Sequence, residues 1–280
     1  MKSFIKYFSL AAFFALTLAT NPVANAQSMD FAQLIVGEDI SPEERLAKKI
    51  ELTTDALKKA DERVIEMRTK LEAIKFEDET PELELRNKLI ERANGYSTFY
   101  NEKLTALAEI QVIEEVDLLI DEVITYREGT YAEGAKEIIE FTLVYSYTPS
   151  VLILADERLE NILKDVARLE GLDLIEPSTF VSRTDEAKTI LQKAHELQTQ
   201  ATSLLMEKYA ASLLIIPEAP VAEVEVAPAE LQVVPLVEIT PAIIEVTPRS
   251  LAEGSLAEIK KLYELFIETG EKVGATLGIN

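Results

Sequence analysis

The feature that most constrains this fold is a long repeat of mostly apolar residues that begins after Ser41. Its members are separated by alternating steps of four and three residues. Such a spacing averages 3.5 residues and places every member on one face of an α-helix, as in coiled coils. A helix this long spans ~50 Å at 1.5 Å per residue, so we expect an elongated, all-α protein. The positions are Leu46, Ile50, Thr53, Leu57, Ala60, Val64, Met67, Leu71 and Ile74.

The first two helices have clear start signals. Ser41 and Glu44 have the spacing of a capping box, and Pro42 suits the first helical position. Thr80-Pro81 predicts a second helix that runs to about Arg127. The short connection between the two helices predicts that they are antiparallel neighbours.

Further along the chain, breaks are expected at Glu128-Gly129-Thr130 and at Pro149. They delimit a third helix over 131–148, although the dense Val, Ile and Phe of 138–147 leave a buried strand as an alternative. Ser150 would cap a fourth helix that stops at Gly171. A loop over 172–183 and a fifth helix complete a bundle over 41–216.

Residues 217–248 have a different composition. Six of the eleven prolines lie there with six Glu and no Lys or Arg, in a background of Val, Ile and Ala. Regularly spaced prolines exclude a long helix, so this Pro/Glu-rich segment is predicted to be an extended strap. Ser250 and Glu253 then form a capping box, and 249–280 is predicted to be a C-terminal amphipathic helix.

The N-terminus has the three parts of a secretory signal. Lys2 and Lys6 precede an apolar stretch, and Ala24-Asn25-Ala26 has the small residues of a cleavage site. We therefore predict a signal peptide over 1–26, removed near Ala26, and an irregular lead-in over 27–40. The exported product would be periplasmic, cell-surface or extracellular, with no transmembrane segment in the mature chain.

Composition excludes several classes of function. The chain has 280 residues, a net charge of −22, one His and no Cys. Such an acidic chain is a poor partner for nucleic acid, which needs clustered Lys and Arg. Without Cys there is no disulfide, thiolate metal site or thiol catalysis. His195 lies beside an apolar helix face and is interpreted as a partly exposed helix residue, and no cofactor is indicated.

An acidic stripe is the one candidate for metal binding. Glu114, Asp117 and Asp121 are spaced to share a helix face, and clustered carboxylates can hold Ca²⁺ or Mg²⁺. No Glu-x-x-His motif of a dinuclear iron bundle and no calcium-loop pattern accompanies them. A solvated acidic face is therefore the favoured interpretation of this stripe.

The best candidates for partner binding are aromatic. Tyr126, Arg127 and Tyr131, together with Tyr145 and Tyr147, form the densest aromatic and polar group in the sequence. Tyrosines supply rigid amphipathic contact area, so a partner groove is one interpretation and a helix-corner packing cluster is the other.

The expected fold is thus an all-α, elongated antiparallel helical bundle with coiled-coil-like seams, an extended strap and a C-terminal amphipathic helix. No motif indicates a family or a catalytic residue. We expect an exported, non-enzymatic protein of the cell envelope or exterior that acts through protein–protein contacts, either with a partner or with itself. An acidic cation- or small-ligand-binding protein is the alternative, and a hydrolase with a pair of carboxylates is a remote one.

Overall fold

In a computed structural model the protein is all-α. The structure describes residues 41–176, 178–213 and 246–278, and within these ranges there is no strand. The strand alternative for 138–147 is therefore wrong. The signal peptide, the lead-in and nearly all of the strap lie outside the described residues. The helices are α1 (Pro42–Ala73), α2 (Pro81–Leu107), α3 (Ile113–Tyr126), α4 (Ala132–Thr142), α5 (Thr148–Gly171), α6 (Ser178–Leu213) and α7 (Pro248–Thr276).

The start of α1 confirms the predicted capping box. The backbone N–H of Glu44 donates to Ser41 Oγ at 3.1 Å, and the Ser41 N–H donates to the Glu44 carboxylate at 3.2 Å. The predicted repeat is the buried face of this helix. Its most buried members are Thr53, Leu57, Val64 and Leu71, all on the repeat.

Helix α2 ends earlier than predicted, at Leu107, and a turn separates it from α3. The buried positions of α2 continue through Tyr96, Tyr100 and Leu107, and that register leads on to Leu118. Leu118, however, is 64% exposed, and α3 buries Val116 and Val123 instead. Val116 precedes Leu118 by two residues, so the buried side of α3 is rotated by about 200° from the side that the register of α2 would bury. One straight helix cannot bury both sides. The turn changes the register.

The predicted breaks at Gly129 and Pro149 do not occur. Helices α3, α4 and α5 form one helical run, and it contains two π-helical turns, Arg127–Tyr131 and Leu143–Tyr147. Ser150 is not a cap, because its hydroxyl donates to the Ser146 carbonyl inside the run. Pro149 closely follows the second π turn. The ring of an interior proline clashes with the carbonyl four residues earlier, and a wider turn at that place relieves the clash.

Two more helix starts lie earlier than predicted. Helix α6 starts at Ser178, so the loop after Gly171 is shorter than expected. Helix α7 starts at Pro248, and its N-cap is Thr247, with Ser250 at the third helical position. The Ser250–Glu253 capping box is therefore wrong. The Thr247 hydroxyl accepts from the Ser250 N–H at 3.0 Å, which shows that the helix takes in the last residue assigned to the strap.

The chain divides into two compact units. Among the described residues, the first unit contains 41–78 and 86–142, and the second contains 79–85 and everything from Leu143 onward. In the first unit α1 and α2 are antiparallel, since Ser97 contacts Asp61 and Asn94 contacts Arg68. Helix α2 is antiparallel to the run from α3 to α4 in the same way. Lys103 pairs with Glu122, and Arg92 pairs with Glu137.

In the second unit α6 and α7 are antiparallel neighbours. Arg183 pairs with Glu268, and Ser255 donates to the Ala194 carbonyl at 2.8 Å. The core between α5, α6 and α7 includes Leu152, Leu191 and Leu262. Helix α7 is thus part of the core of its own unit. The buried positions along α6 again follow steps of four and three: Ala187, Leu191, Ala194, Gln198, Ala201 and Leu205.

One nearly buried charge joins α6 to α7. Glu258 is only 9% exposed and accepts from Lys193 at 2.8 Å and from Lys261 at 2.9 Å. The hydrogen bonds from these two lysines hold the pKa of Glu258 below its usual value. A buried carboxylate needs such partners, so this group of three residues has a structural explanation.

Candidate functional site

The tyrosines that the sequence groups together are divided between the two units. Tyr126 and Tyr131 lie at the two ends of the first π turn, in the first unit. Tyr145 and Tyr147 lie in the second π turn, in the second unit. They are therefore described as two separate groups.

In the first unit Tyr126 and Tyr131 belong to an aromatic cluster whose other members come from α2. Tyr126 stacks on Phe99 with ring centroids 3.6 Å apart. Tyr131 meets the ring edges of Tyr96 at 5.1 Å and Tyr100 at 6.1 Å. The sequence shows Tyr96 and Tyr100 on the apolar face of α2, one helical turn apart. That spacing was the available signal for their part in the cluster.

Burial controls the chemistry of this cluster. It raises the pKa of Tyr96 to about 12 and raises the pKa of Tyr100 and Tyr131 as well. The positive charge of Arg127 acts in the opposite direction on Tyr100 and Tyr131 without cancelling the effect of burial. The phenols are therefore neutral near pH 7, and they provide packing area.

A small cavity near Arg127 lies outside the aromatic cluster, and none of the clustered rings lines it. This cavity of about 20 Å³ lies between α1 and α3, and its apolar wall includes Leu57, Ile120 and Val123. That is room for about one water molecule. Tyr100 is fully buried, and its hydroxyl has no hydrogen-bond partner in the part of the chain that the structure describes. In these respects the cluster resembles core packing.

Gly134 allows the aromatic cluster to approach α4 closely. A Cβ atom at this position would overlap the Tyr96 hydroxyl oxygen and come within 2.8 Å of Arg92 Cδ. The Tyr96 hydroxyl also lies 3.5 Å from the Thr130 carbonyl oxygen, to which it donates. Tyr96 thus joins α2 to the first π turn and to α4, and the fit requires glycine.

In the second π turn Tyr145 and Tyr147 are half-buried. Burial raises the pKa of both phenols, and the negative charge of Glu82 adds to the effect at Tyr145. These two residues belong to the same unit as helix α5. Their role in binding a partner stays a prediction.

The acidic stripe lies on the exposed side of α3. Asp117 is paired with Lys49 of α1, and Glu122, one residue beyond Asp121, is paired with Lys103 of α2 at 2.5 Å. Within 41–176, 178–213 and 246–278 there is no group of three or more His, Cys, Asp or Glu side chains that could hold a metal ion. The partners that are seen for these carboxylates are lysines.

A polar groove of about 710 Å³ runs along α2 in the first unit. It is lined by Arg68, Asn94, Ser97, Thr98, Asn101, Glu102, Thr105, Ala106 and Glu109. Ser97 donates to Asp61 at 2.5 Å, and Asn101 donates to the other oxygen of the same carboxylate at 3.3 Å. Arg68 donates to Asn94 at 3.0 Å. These polar groups bond one another across two antiparallel helices.

His195 in the second unit lies beside the Asp156 carboxylate of α5. Its Nε2 atom lies 3.1 Å from both carboxylate oxygens of Asp156, and both side chains are about half exposed. The structure therefore places His195 where the sequence predicted it, partly exposed on a helix.

Two strongly exposed apolar side chains lie next to each other on α5. Ile153 is 58% exposed and Leu154 is 57% exposed. Pro149 and Ser150 precede them by one turn and reach the same surface. We call Pro149, Ser150, Ile153 and Leu154 the α5 patch. From Leu143 to Ala155 the sequence has no Asp, Glu, Lys or Arg, whereas 28% of the whole chain is charged.

The α5 patch lies in the one described helical run that meets the length and composition of a membrane span. Within Ile113–Gly171 an 18-residue window has a mean hydropathy of 1.5. Core helices of soluble proteins pass the same test, so this is weak evidence for a membrane. The absence of a transmembrane segment stays a prediction.

Comparison of the chain with protein-family models, with curated proteins and with solved structures finds no match.

Proposed function

We propose that this chain is an exported, non-enzymatic helical protein that acts through protein–protein contacts in the cell envelope or outside the cell. The observation that carries the proposal is the α5 patch. Ile153 and Leu154 are adjacent, each is more than half exposed, and no charged side chain precedes them as far back as Leu143. Exposed apolar groups that lie together are typical of interaction surfaces, whereas single ones are common everywhere.

The non-enzymatic part of the proposal is supported by the way the polar groups pair. The carboxylate of Asp61 accepts from both Ser97 and Asn101, and Glu258 accepts from two lysines. Each of these groups bridges neighbouring helices. An unexplained nucleophile or acid facing a cavity would have favoured catalysis, and these residues are already explained by the packing.

Export is proposed from the sequence alone. The basic start, the apolar stretch and Ala24-Asn25-Ala26 predict cleavage after Ala26. Expression of the whole chain in a bacterium, followed by fractionation and N-terminal sequencing, tests this. We expect the envelope or medium fraction to contain a product that starts at Gln27. An intact chain that remains in the cytoplasm would contradict export.

We further propose that α1 packs through a coiled-coil-like seam within the first unit, and that α6 does so within the second, supported by the buried positions of each helix at steps of four and three. The elongated shape and the extended strap over 217–248 also remain proposals of this kind. The acidic stripe as a cation site is a weaker alternative, because Asp117 is paired with a lysine. If calorimetry detects no heat of binding when Ca²⁺ or Mg²⁺ is added, the acidic stripe is excluded as a cation site.

Capture of partners with matched variants tests the function. The purified protein is incubated with envelope extract beside Ile153→Glu/Leu154→Glu, which adds charge to the α5 patch. The control is Leu172→Glu, because Leu172 is 59% exposed and lies outside the patch. We expect specific proteins to be retained by the wild type and the control and lost from the double variant. Equal retention by all three would contradict the proposal.

A further inference from the structure

The second π turn, Leu143–Tyr147, is closely followed by a proline, and this removes one backbone hydrogen bond. A carbonyl in a π turn accepts from the N–H five residues later. For Val144 that residue is Pro149, which has no N–H. Val144 is also fully buried, so water does not replace the missing donor. A buried carbonyl without a donor destabilises the fold, so the donor has to come from another side chain.

Gln198 of α6 is that donor. Its Nε2 atom lies 2.6 Å from the Val144 carbonyl oxygen and donates to it. A longer contact of 3.5 Å joins Nε2 to Thr202 Oγ1, one turn further along α6. Gln198 is only 9% exposed, and its Oε1 atom has no hydrogen-bond partner in the part of the chain that the structure describes. The buried amide is therefore explained by what it donates, and the carbonyl of the π turn is its close acceptor.

Thr148 shows that this carbonyl is bonded from another helix and not from its own. Helix threonines in this chain donate to the carbonyl four residues earlier, as Thr142 does to Ile138 at 2.8 Å. The equivalent acceptor for Thr148 is the Val144 carbonyl. The fully buried Thr148 hydroxyl nevertheless has no partner among residues 41–176, 178–213 and 246–278. At the second π turn the bond across helices thus takes the place of the usual bond within one helix.

The second π turn also sets which side of α5 faces the core. The buried residues Val144, Thr148 and Leu152 follow one another in two steps of four. In a regular α-helix eight residues make two turns and about 80° more, so the three would drift off one line. A π turn takes up one extra residue. It therefore returns Leu152 to the core between α5, α6 and α7.

We infer that Gln198 is a latch for the second π turn: its amide supplies the hydrogen bond that Pro149 cannot, and in this way α6 fixes the register of α5. The latch and the turn lie within the second unit. This conformational device goes beyond the proposed function, because it concerns how α5 is held and not what binds to the α5 patch.

A pair of substitutions in two backgrounds tests the latch. Gln198→Met removes the amide at similar volume, and Pro149→Ala restores an N–H at position 149. With proline present, Gln198→Met should lower the urea midpoint by about 0.5–1 M and speed amide hydrogen exchange of residues 144–152 about tenfold. In the Pro149→Ala background both effects should shrink to about a third or less, because the backbone now offers the donor. Gln200→Met, at an exposed glutamine of the same helix, is the control and should have little effect in either background.

Equal losses from Gln198→Met in the two backgrounds would overturn the inference, because the amide would then act independently of Pro149. Unchanged exchange of residues 144–152 in Gln198→Met would overturn it as well. If Gln198→Met does not fold, the bond is measured in the wild type by NMR, as the scalar coupling between Gln198 Nε2 and the Val144 carbonyl carbon. A detectable coupling supports the latch, and its absence would overturn it. None of these measurements involves a partner protein, so their failure leaves the proposed function in place.

Discussion

At the scale of single residues, the close contact between Tyr96 and Gly134 fixes how α4 lies against α2. The hydroxyl of Tyr96 occupies the space that a side chain at position 134 would fill. Because the tyrosine ring is rigid, a methyl group there forces either the ring or the helix to move. Gly95, on the exposed side of α2, has open space around it.

We therefore expect opposite effects from two glycine substitutions. Gly134→Ala should lower the free energy of unfolding by about 1–3 kcal/mol, the usual effect of overpacking. Gly95→Ala should raise it by about 0.5–1 kcal/mol, because alanine is the better helix former. Urea denaturation measures both. A stabilising Gly134→Ala would contradict the close packing of Tyr96.

Tyr100 has a buried hydroxyl without a described partner. A buried polar group that makes no hydrogen bond opposes folding by about 1–3 kcal/mol. Tyr100→Phe should therefore leave the free energy of unfolding unchanged or raise it by about 1 kcal/mol. Urea denaturation beside Tyr126→Phe, a ring that is less buried, tests this. A loss of more than about 1 kcal/mol in Tyr100→Phe would show that the hydroxyl is bonded.

The raised pKa of Tyr96 predicts a loss of stability in alkali. An unfolded tyrosine ionises near pH 10, whereas the folded residue keeps its proton to about 12. Between these pKa values the unfolded state releases the proton first, so the free energy of unfolding decreases as the pH rises from 10 to 12. Urea midpoints from about pH 9 to about pH 11.5, with tyrosinate absorbance, measure it. The free energy of unfolding of Tyr96→Phe should decrease less steeply with pH than that of the wild type. An identical slope in the two proteins would contradict the raised pKa of Tyr96.

At the scale of elements, sequence predicted what depends on local chemistry. The start of α1 follows from its capping residue Ser41, and it is confirmed. Helix α5 ends at Gly171 as predicted, although the residue that takes the left-handed conformation after it is Asp173. The buried face of α1 follows from its repeat. In these cases the signal lies within a few turns of one helix.

The elements that were mispredicted depend on packing. Gly129 and Pro149 are strong local breakers, yet the run stays helical beside both. Tyr126 stacks on Phe99 of α2, and the Val144 carbonyl accepts from Gln198 of α6 at 2.6 Å. The π turns absorb the local conflict. The turn after Leu107 has no breaker at all. Its signal was the shift in apolar register between α2 and α3, which the sequence contained.

The aromatic cluster of the first unit was predicted only in part, for the same reason. Tyr126 and Tyr131 were recognised, but Tyr96, Phe99 and Tyr100 join them from α2 only because α2 packs antiparallel to the run from α3 to α4. The α5 patch was missed altogether. Its two large residues are apolar, and the sequence does not tell an apolar residue in a core from one that is left exposed.

The place of α7 in a core gives a further prediction. Leu262 is fully buried between α5, α6 and α7, so Leu262→Ala should lower the free energy of unfolding by about 2–4 kcal/mol. Leu154→Ala makes the same chemical change on an exposed helix surface and should alter it by less than about 0.5 kcal/mol. Thermal and urea unfolding measure both. Equal small effects would contradict the packing of α7 in this unit.

At the scale of the whole molecule, each of the two units has its own buried apolar residues and antiparallel helices. In the described part of the chain the charged groups are largely paired across helices or solvated. The uncharged stretch before Asp156 is therefore the exception that requires a functional explanation. On an acidic protein, an uncharged and exposed apolar surface fits contact with another protein better than contact with nucleic acid or an anionic ligand.

The most direct test of this account is the amount of envelope protein retained by the purified wild type, by Leu172→Glu and by Ile153→Glu/Leu154→Glu under the same conditions. The wild type and Leu172→Glu should retain the same proteins, because Leu172 is exposed outside the α5 patch. The double variant, whose patch carries two added charges, should lose them. Equal retention by all three proteins, or no retention by the wild type, would contradict the account.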